Sequence, residues 1–217
     1  MKRHYHEHSR DALHCKQPLA LLGLLLFCAA TLLISSCNLL KTRTPQNPVT
    51  PSTTNPPANS PTALLNNFIS AVTKKDAVEY AKLFSDTASG SMPYTFVPAQ
   101  SSAIRYTAVF SRWTKDSEQD YFQKAMASLS SGAIPSLVFL SDMNSGVVMF
   151  QSDSAVFQTD YVLFVPHTQP NLTTTFKGNA RFYMAPNITN TWAIYRWEDF
   201  ETAKDSSWSE LKGQFEK

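Results

Sequence analysis

Leu65, Phe68, Ile69 and Val72 recur at i, i+3, i+4 and i+7, the spacing of one buried helical face. Asp76 and Glu79 then read as an acidic capping box, and Ala77, Tyr80, Ala81 and Phe84 repeat the helical spacing in a second helix. After Gly90 the stretch MPYTFVP is strand-like, bounded by Pro93 and Pro98. Residues 104–113 satisfy two periods. Tyr106, Val109, Phe110 and Trp113 fit a helix, whereas Ile104, Tyr106, Ala108 and Phe110 alternate as in a strand, so the conformation of residues 99–115 stays open. Phe122, Ala125, Met126 and Leu129 mark a third helix.

Beyond Gly132 the period changes from 3.6 to 2. Residues 136–140 (SLVFL) and 147–150 (VVMF) are short strand candidates. Residues 155–165 place Ala155, Phe157, Tyr161, Leu163 and Val165 on one face, and 173–184 set Phe176, Gly178, Ala180, Phe182 and Met184 against Lys177, Asn179, Arg181 and Tyr183. In 191–200, strict alternation puts Trp192, Ile194, Arg196 and Glu198 opposite Ala193, Tyr195, Trp197 and Asp199. Turn residues at 167–171 and 186–190 predict antiparallel neighbours. Helices first and long strands afterwards predict an α+β fold, with helices on one face of a curved, mainly antiparallel sheet.

The N-terminal segment fits neither pattern. It is polar and positive through Lys16, almost continuously apolar from Pro18 to Ile34, and ends in Ser35-Ser36-Cys37, which is the grammar of an export signal. Ile34-Ser35-Ser36-Cys37 resembles the bacterial lipobox. The resemblance implies cleavage before Cys37, diacylation of its thiol and acylation of the new N-terminus. The alternative is an uncleaved signal-anchor helix. Asn38 is compatible with outer-membrane delivery in a host with two membranes. Residues 39–61 have no aromatic side chain and carry six prolines (Pro45, Pro48, Pro51, Pro56, Pro57, Pro61), a composition that cannot bury enough apolar surface to offset ordering. The predicted organisation is a signal peptide over 1–36, a lipidated Cys37 with a Pro/Thr/Asn-rich tether through 61, and a folded domain over 62–217.

Composition sharpens this division. The 217 residues carry a net charge of +2, and the leader holds all of the excess through Lys2, Arg3, Arg10 and Lys16 against Glu7 and Asp11. The chain beyond Cys37 is electrically balanced, which gives no drive toward nucleic acid. It retains one histidine, His167, and no cysteine, which excludes a thiolate–imidazole zinc site, an internal disulfide and a Cys nucleophile. No Gly-rich phosphate loop and no G-x-S-x-G elbow is present. The sequence implies no cofactor and no metal. Asn171 and Asn187 head glycosylation sequons that matter only in a eukaryotic type II membrane protein.

The opening helix pair FISAVTKKDAVEYAKLF, the strand YTFVP, the terminal strand TWAIYRWEDF and the ending SSWSELKGQF resemble the nuclear transport factor 2-like superfamily, which includes SnoaL-like polyketide cyclases and ketosteroid isomerase. The resemblance spans most of 62–217 and implies a cystatin-like cone with an apolar pocket at its open end. It also implies where chemistry would sit: a carboxylate or His base opposite Tyr, Asp or His donors. Asp142, Asp160, Tyr161 and His167 are the catalytic candidates, and Tyr106, Arg181, Tyr183, Tyr195 and Trp197 the ligand-binding ones. No partner spacing selects Asp142 or Asp160, so both read first as solvated strand-end or edge residues, and His167, at a predicted turn, reads first as a surface or structural group. Trp192 and Trp197, five apart, are expected on opposite faces of one strand. Glu198, Asp199, Glu201 and Asp205 read as a solvated acidic strand end, without EF-hand spacing.

These residues support two functional classes. The first is a cell-envelope lipoprotein whose body binds a small apolar ligand or an envelope partner without catalysis. The second is an isomerase, dehydratase or cyclase using a pocket Asp with a Tyr. A structural envelope-assembly part, its cone filled by its own side chains, is a further alternative. Membrane lipid is the expected partner of Cys37, and a homodimer is compatible with the sequence.

Overall fold

Ser60 and Pro61 start the first helix for local reasons: Ser60 Oγ accepts from Ala63 N at 3.1 Å, and proline occupies the first turn, where its missing N–H costs nothing. This helix, α1 (Pro61–Lys74), buries Leu64, Leu65, Phe68, Ala71 and Val72 and stops at Lys75, which adopts a left-handed conformation. The computed structural model describes residues 55–150 and 153–217. The leader, Cys37 and most of the proline-rich segment lie outside the described residues.

Asp76 caps α2 (Ala77–Ala81), its Oδ1 accepting from Val78 N and Glu79 N. Glu79 turns instead to Lys82, at 2.6 Å, so the expected capping box is half made. A 3₁₀ turn (Thr87–Ser89) and the short strand β1 (Thr95–Val97) come next. The ambiguous stretch is helical: α3 (Gln100–Arg105) and α4 (Thr107–Phe110) meet at Tyr106. Thr114 and Ser117 form a reciprocal capping box at the start of α5 (Lys115–Ala127).

The remaining strands are β2 (Ser136–Phe139), β3 (Val147–Phe150), β4 (Ser154–Phe164), β5 (Thr175–Pro186) and β6 (Trp192–Glu201). They form one open sheet in the order β1-β6-β5-β4-β2, with β3 also paired to β4. Only β1 runs parallel to its neighbour. The chain closes with α6 (Trp208–Glu216). This is the expected α+β class.

One correction concerns β6. Its register shifts between Tyr183 and Met184, which pair with Arg196 and Ile194, so Tyr195 is the extra residue of a β-bulge. The bulge resets the alternation. Trp192, Ile194, Trp197 and Asp199 are all buried, whereas Arg196 and Phe200 face outward with Arg181 and Tyr183. The two tryptophans are therefore not divided between core and surface.

Phe68 lies at the centre of the core, its ring 5.5–6.2 Å from those of Tyr80, Phe84, Phe139, Phe182, Trp197 and Trp208, which ties α1 to the sheet and to α6. The segment 55–60, assigned to the tether by composition, lies against this body. Ala58 is buried and its carbonyl accepts from Trp192 N at 2.7 Å, while Asn55 Oδ1 accepts from Ser70 Oγ. Residues Thr53–Lys217 form one unit, and its core lies entirely inside it, so this unit carries what it needs to fold alone.

Candidate functional site

The strongest polar feature is buried, and it joins two helices. On α5, Glu118, Tyr121, Phe122 and Ala125 share one face; on α6, Trp208, Leu211, Lys212 and Phe215 share another. Each apolar stripe therefore contains one charge, of opposite sign. Lys212 Nζ donates to Glu118 Oε1 at 2.5 Å, and both side chains are fully buried. The same oxygen accepts from Tyr94 OH at 2.6 Å and Trp113 Nε1 at 2.7 Å, and Oε2 accepts from Tyr80 OH at 3.1 Å. The ammonium lies 3.5 Å from the ring centres of both Phe96 and Trp197. Burial is the main force on Lys212 and brings its pKa down to about 8, with Glu118 opposing the change.

A second buried carboxylate anchors the other end of α6. Asp199, on β6, accepts from Tyr161 OH at 2.8 Å, from Ser209 N at 2.7 Å and from Ser209 Oγ at 2.5 Å. Tyr161 OH in turn accepts from Trp208 N at 2.6 Å. Ser207, the N-cap residue, makes no side-chain cap, so β4 and β6 supply from outside the capping groups that α6 lacks. Gly178 makes this geometry possible. It faces Tyr161 across β4 and β5, and a Cβ there would lie 2.6 Å from the Tyr161 hydroxyl. Burial raises the Asp199 pKa against the pull of its hydrogen bonds, and burial foremost holds Tyr161 well above its ordinary value.

As a result, every residue from Ser207 to Gly213 is buried. The inner side of the sheet is occupied by the protein's own helices α1 and α6. The arrangement is chemically closed, because the carboxylate, the ammonium and the phenols bond to one another with no exposure of the Glu118–Lys212 pair.

The residues singled out from sequence are dispersed. Asp142 is exposed in the β2–β3 connection, where Oδ1 accepts from Asn144 N at 2.8 Å. Asp160 is exposed and accepts from Asn179 Nδ2 at 3.0 Å. Neither meets Tyr161, which points inward to Asp199. His167 is buried at the turn after β4, with Nε2 2.9 Å from the Thr173 carbonyl and Nδ1 accepting from Gln169 N, which places the proton on Nε2. Its ring lies 5.9 Å from that of Phe215. Arg181 and Tyr183 gather on the outer face around Glu198, which also pairs with Arg196 at 2.7 Å, and the Tyr195 ring lies 6.1 Å from that of Tyr183. Trp197 belongs to the core. The acidic strand end is corrected too, since Glu198 and Asp199 are buried rather than solvated. Glu118, Lys212, Tyr94 and Asp199 were not selected from sequence as site residues. The legible signal was one charged residue at a face position on each of two apolar helical stripes.

Among the described residues, no group of three His, Cys, Asp or Glu side chains is placed to hold a metal ion, and no helix is long and apolar enough to cross a membrane. An open groove of about 640 Å³ is lined by Arg105, Tyr106, Val109, Arg112, Trp113 and Lys217, among others. Tyr106 is thus the one ligand-binding candidate that borders it. Tyr106 OH donates to Glu210 Oε1 at 2.6 Å, and burial, ahead of this bond, pushes its pKa up to about 12. Arg105 is bound to Glu210 at 2.9 Å and to Asp205.

No family model matches the chain, and no curated protein matches it. Solved structures do. One is a nuclear transport factor 2-like superfamily protein from Salmonella enterica serovar Typhimurium, 15% identical over 66% of this chain and 89% of that one, with a TM-score of 0.47. Another is a ketosteroid isomerase-like protein from Erwinia carotovora atroseptica, 11% identical over 67% and 96%, with a TM-score of 0.45. A third is a domain of unknown function with a cystatin-like fold from Nostoc punctiforme, 11% identical over 65% and 75%, with a TM-score of 0.42.

Proposed function

We propose that this protein is a lipid-anchored, non-catalytic module of the bacterial cell envelope, its folded body held off the membrane by the proline-rich segment after Cys37. The observation that supports the non-catalytic half is the occupancy of the fold's interior. Helices α1 and α6 together fill the inner side of the sheet, and Lys212 of α6 is paired and sandwiched by groups of the same chain. A base must reach a bound substrate, and here Asp142 and Asp160 are exposed and apart from the inward-facing Tyr161. Asp199 and Glu118 do meet tyrosines, but both are buried and bonded within the protein, which leaves the isomerase or dehydratase alternative without an accessible acid–base pair from the candidates Asp142, Asp160 and Tyr161.

The anchoring half is supported by the leader: a positive segment, an apolar run and Ile34-Ser35-Ser36-Cys37, ahead of a body with no other cysteine to pair with. A multiply acylated N-terminus would hold firmly, since each buried methylene contributes about 0.8 kcal/mol. Intact-mass spectrometry of the full chain from a bacterial host tests the reading. The expected mature form begins at an acylated Cys37, and Cys37→Ser releases the protein from membranes or leaves it unprocessed. A mature chain that begins at Met1 with a free Cys37 thiol would overturn it.

A further inference from the structure

The open groove between the α3–α4 run and the end of α6 has a rigid floor and an uneven charge along its lining. The floor is set by Tyr106 and Gly213. A Cβ at Gly213 would collide with Tyr106 Cδ2, so the ring rests directly on the backbone of α6. The Tyr106 hydroxyl is spent on Glu210 and the indole N–H of Trp113 on Glu118, so the small part of each buried ring that borders the groove is apolar and brings no free donor. Val109 adds an aliphatic wall.

The charges are unevenly compensated. Arg105 is matched by Glu210 and Asp205, and Glu216 by Lys124 at 2.8 Å. Arg112 is exposed, and its guanidinium has no hydrogen bond or ion pair among the described residues. Lys217, also in the lining, has only Gln214 as a partner for its amine among the described residues. A groove of about 640 Å³ is within the range that holds small ligands. A guanidinium with no partner among the described residues, beside an aromatic and aliphatic floor, selects an anionic head on an apolar body.

We propose that this groove binds an amphipathic anion, its carboxylate or phosphate on Arg112 and its apolar part over Tyr106 and Val109. The site is independent of the anchoring of Cys37, and the two stand or fall separately. The test uses the Thr53–Lys217 unit, with its fold checked by cooperative urea unfolding. The probes are 1-anilinonaphthalene-8-sulfonate and N-phenyl-1-naphthylamine, which share an apolar body and differ in the anionic head. The sulfonate is expected to bind at one site. Arg112→Gln is expected to weaken it about tenfold while leaving the uncharged probe unchanged. Val109→Asp is expected to weaken both.

Two further arms separate the sources of such an anion. Sedimentation with phosphatidylglycerol-containing vesicles but not with phosphatidylcholine vesicles, lost in Arg112→Gln, identifies a lipid headgroup. Binding of free laurate without vesicle association identifies a soluble amphiphile. Equal affinity of the wild type and Arg112→Gln for the sulfonate, or equal affinity of the two probes for the wild type, overturns the proposal.

Discussion

Lys212 and Glu118 form a buried pair that is expected to cost more to break than its presence adds. Taking both charges out of water costs several kcal/mol each, and their attraction repays that only with good geometry and further hydrogen bonds. Here the carboxylate also accepts from Tyr80, Tyr94 and Trp113, and the ammonium meets two aromatic faces. Removing one partner is therefore worse than removing both. We expect Lys212→Met to cost about 3–5 kcal/mol, because Glu118 keeps its burial and loses its counter-charge. Lys212→Met combined with Glu118→Gln should recover part of that loss, since the amide oxygen still accepts from Trp113 and Tyr94 without a net charge. Urea unfolding of the two single variants and the double variant measures the coupling. Additive losses would mean that the pair is not a unit.

At the scale of elements, α6 holds a position that its sequence only half announces. Trp208, Leu211, Lys212 and Phe215 form one stripe, but Ser209, Glu210 and Gly213 are buried as well, because α3 and α4 cover the side that periodicity assigns to water. Amphipathic spacing locates α1, α2 and α5 well, since each has one solvated side, and it is blind to a helix enclosed on all sides. The 104–113 stretch stayed ambiguous for a related reason: α3 and α4 have six and four residues, too short for a period to declare itself. The β6 bulge was invisible because strict alternation is the only rule a strand pattern supplies. The enclosure of α6 has two measurable consequences. Its amides should exchange with solvent only through global unfolding, as measured by native-state hydrogen exchange; a cheaper local opening would show that the interior can be vacated. Gly213→Ala gains helix propensity of up to about 1 kcal/mol, yet sets a methyl against a Tyr106 ring fixed by Glu210. Overpacking should win, for a net loss of about 1–3 kcal/mol read by urea unfolding.

For the whole molecule, the charge balance counted from sequence says nothing of where charge is buried, and burial governs how stability varies with pH. Lys212 has a folded pKa of about 8 against an ordinary 10.5. Between those values the unfolded chain binds more protons than the native one, so stability rises with pH through that window and the burial penalty is fully present below it. The buried phenols act in the opposite sense at higher pH. Tyr80, Tyr94 and Tyr161 are held well above their ordinary value of 10, by burial first, and Tyr121 is raised for the same leading reason. Above about pH 10 the unfolded chain ionises its tyrosines while the native chain does not, and stability falls. The two trends together place a maximum at about pH 9–10, above the pH 5–8 where most proteins peak. Urea unfolding of the Thr53–Lys217 unit from pH 7 to 11 should trace that rise and fall. Lys212→Met should abolish the rise and keep the fall, since it removes the amine and leaves every tyrosine in place. A rise that survives in the variant would assign it to another group and remove Lys212 as its source.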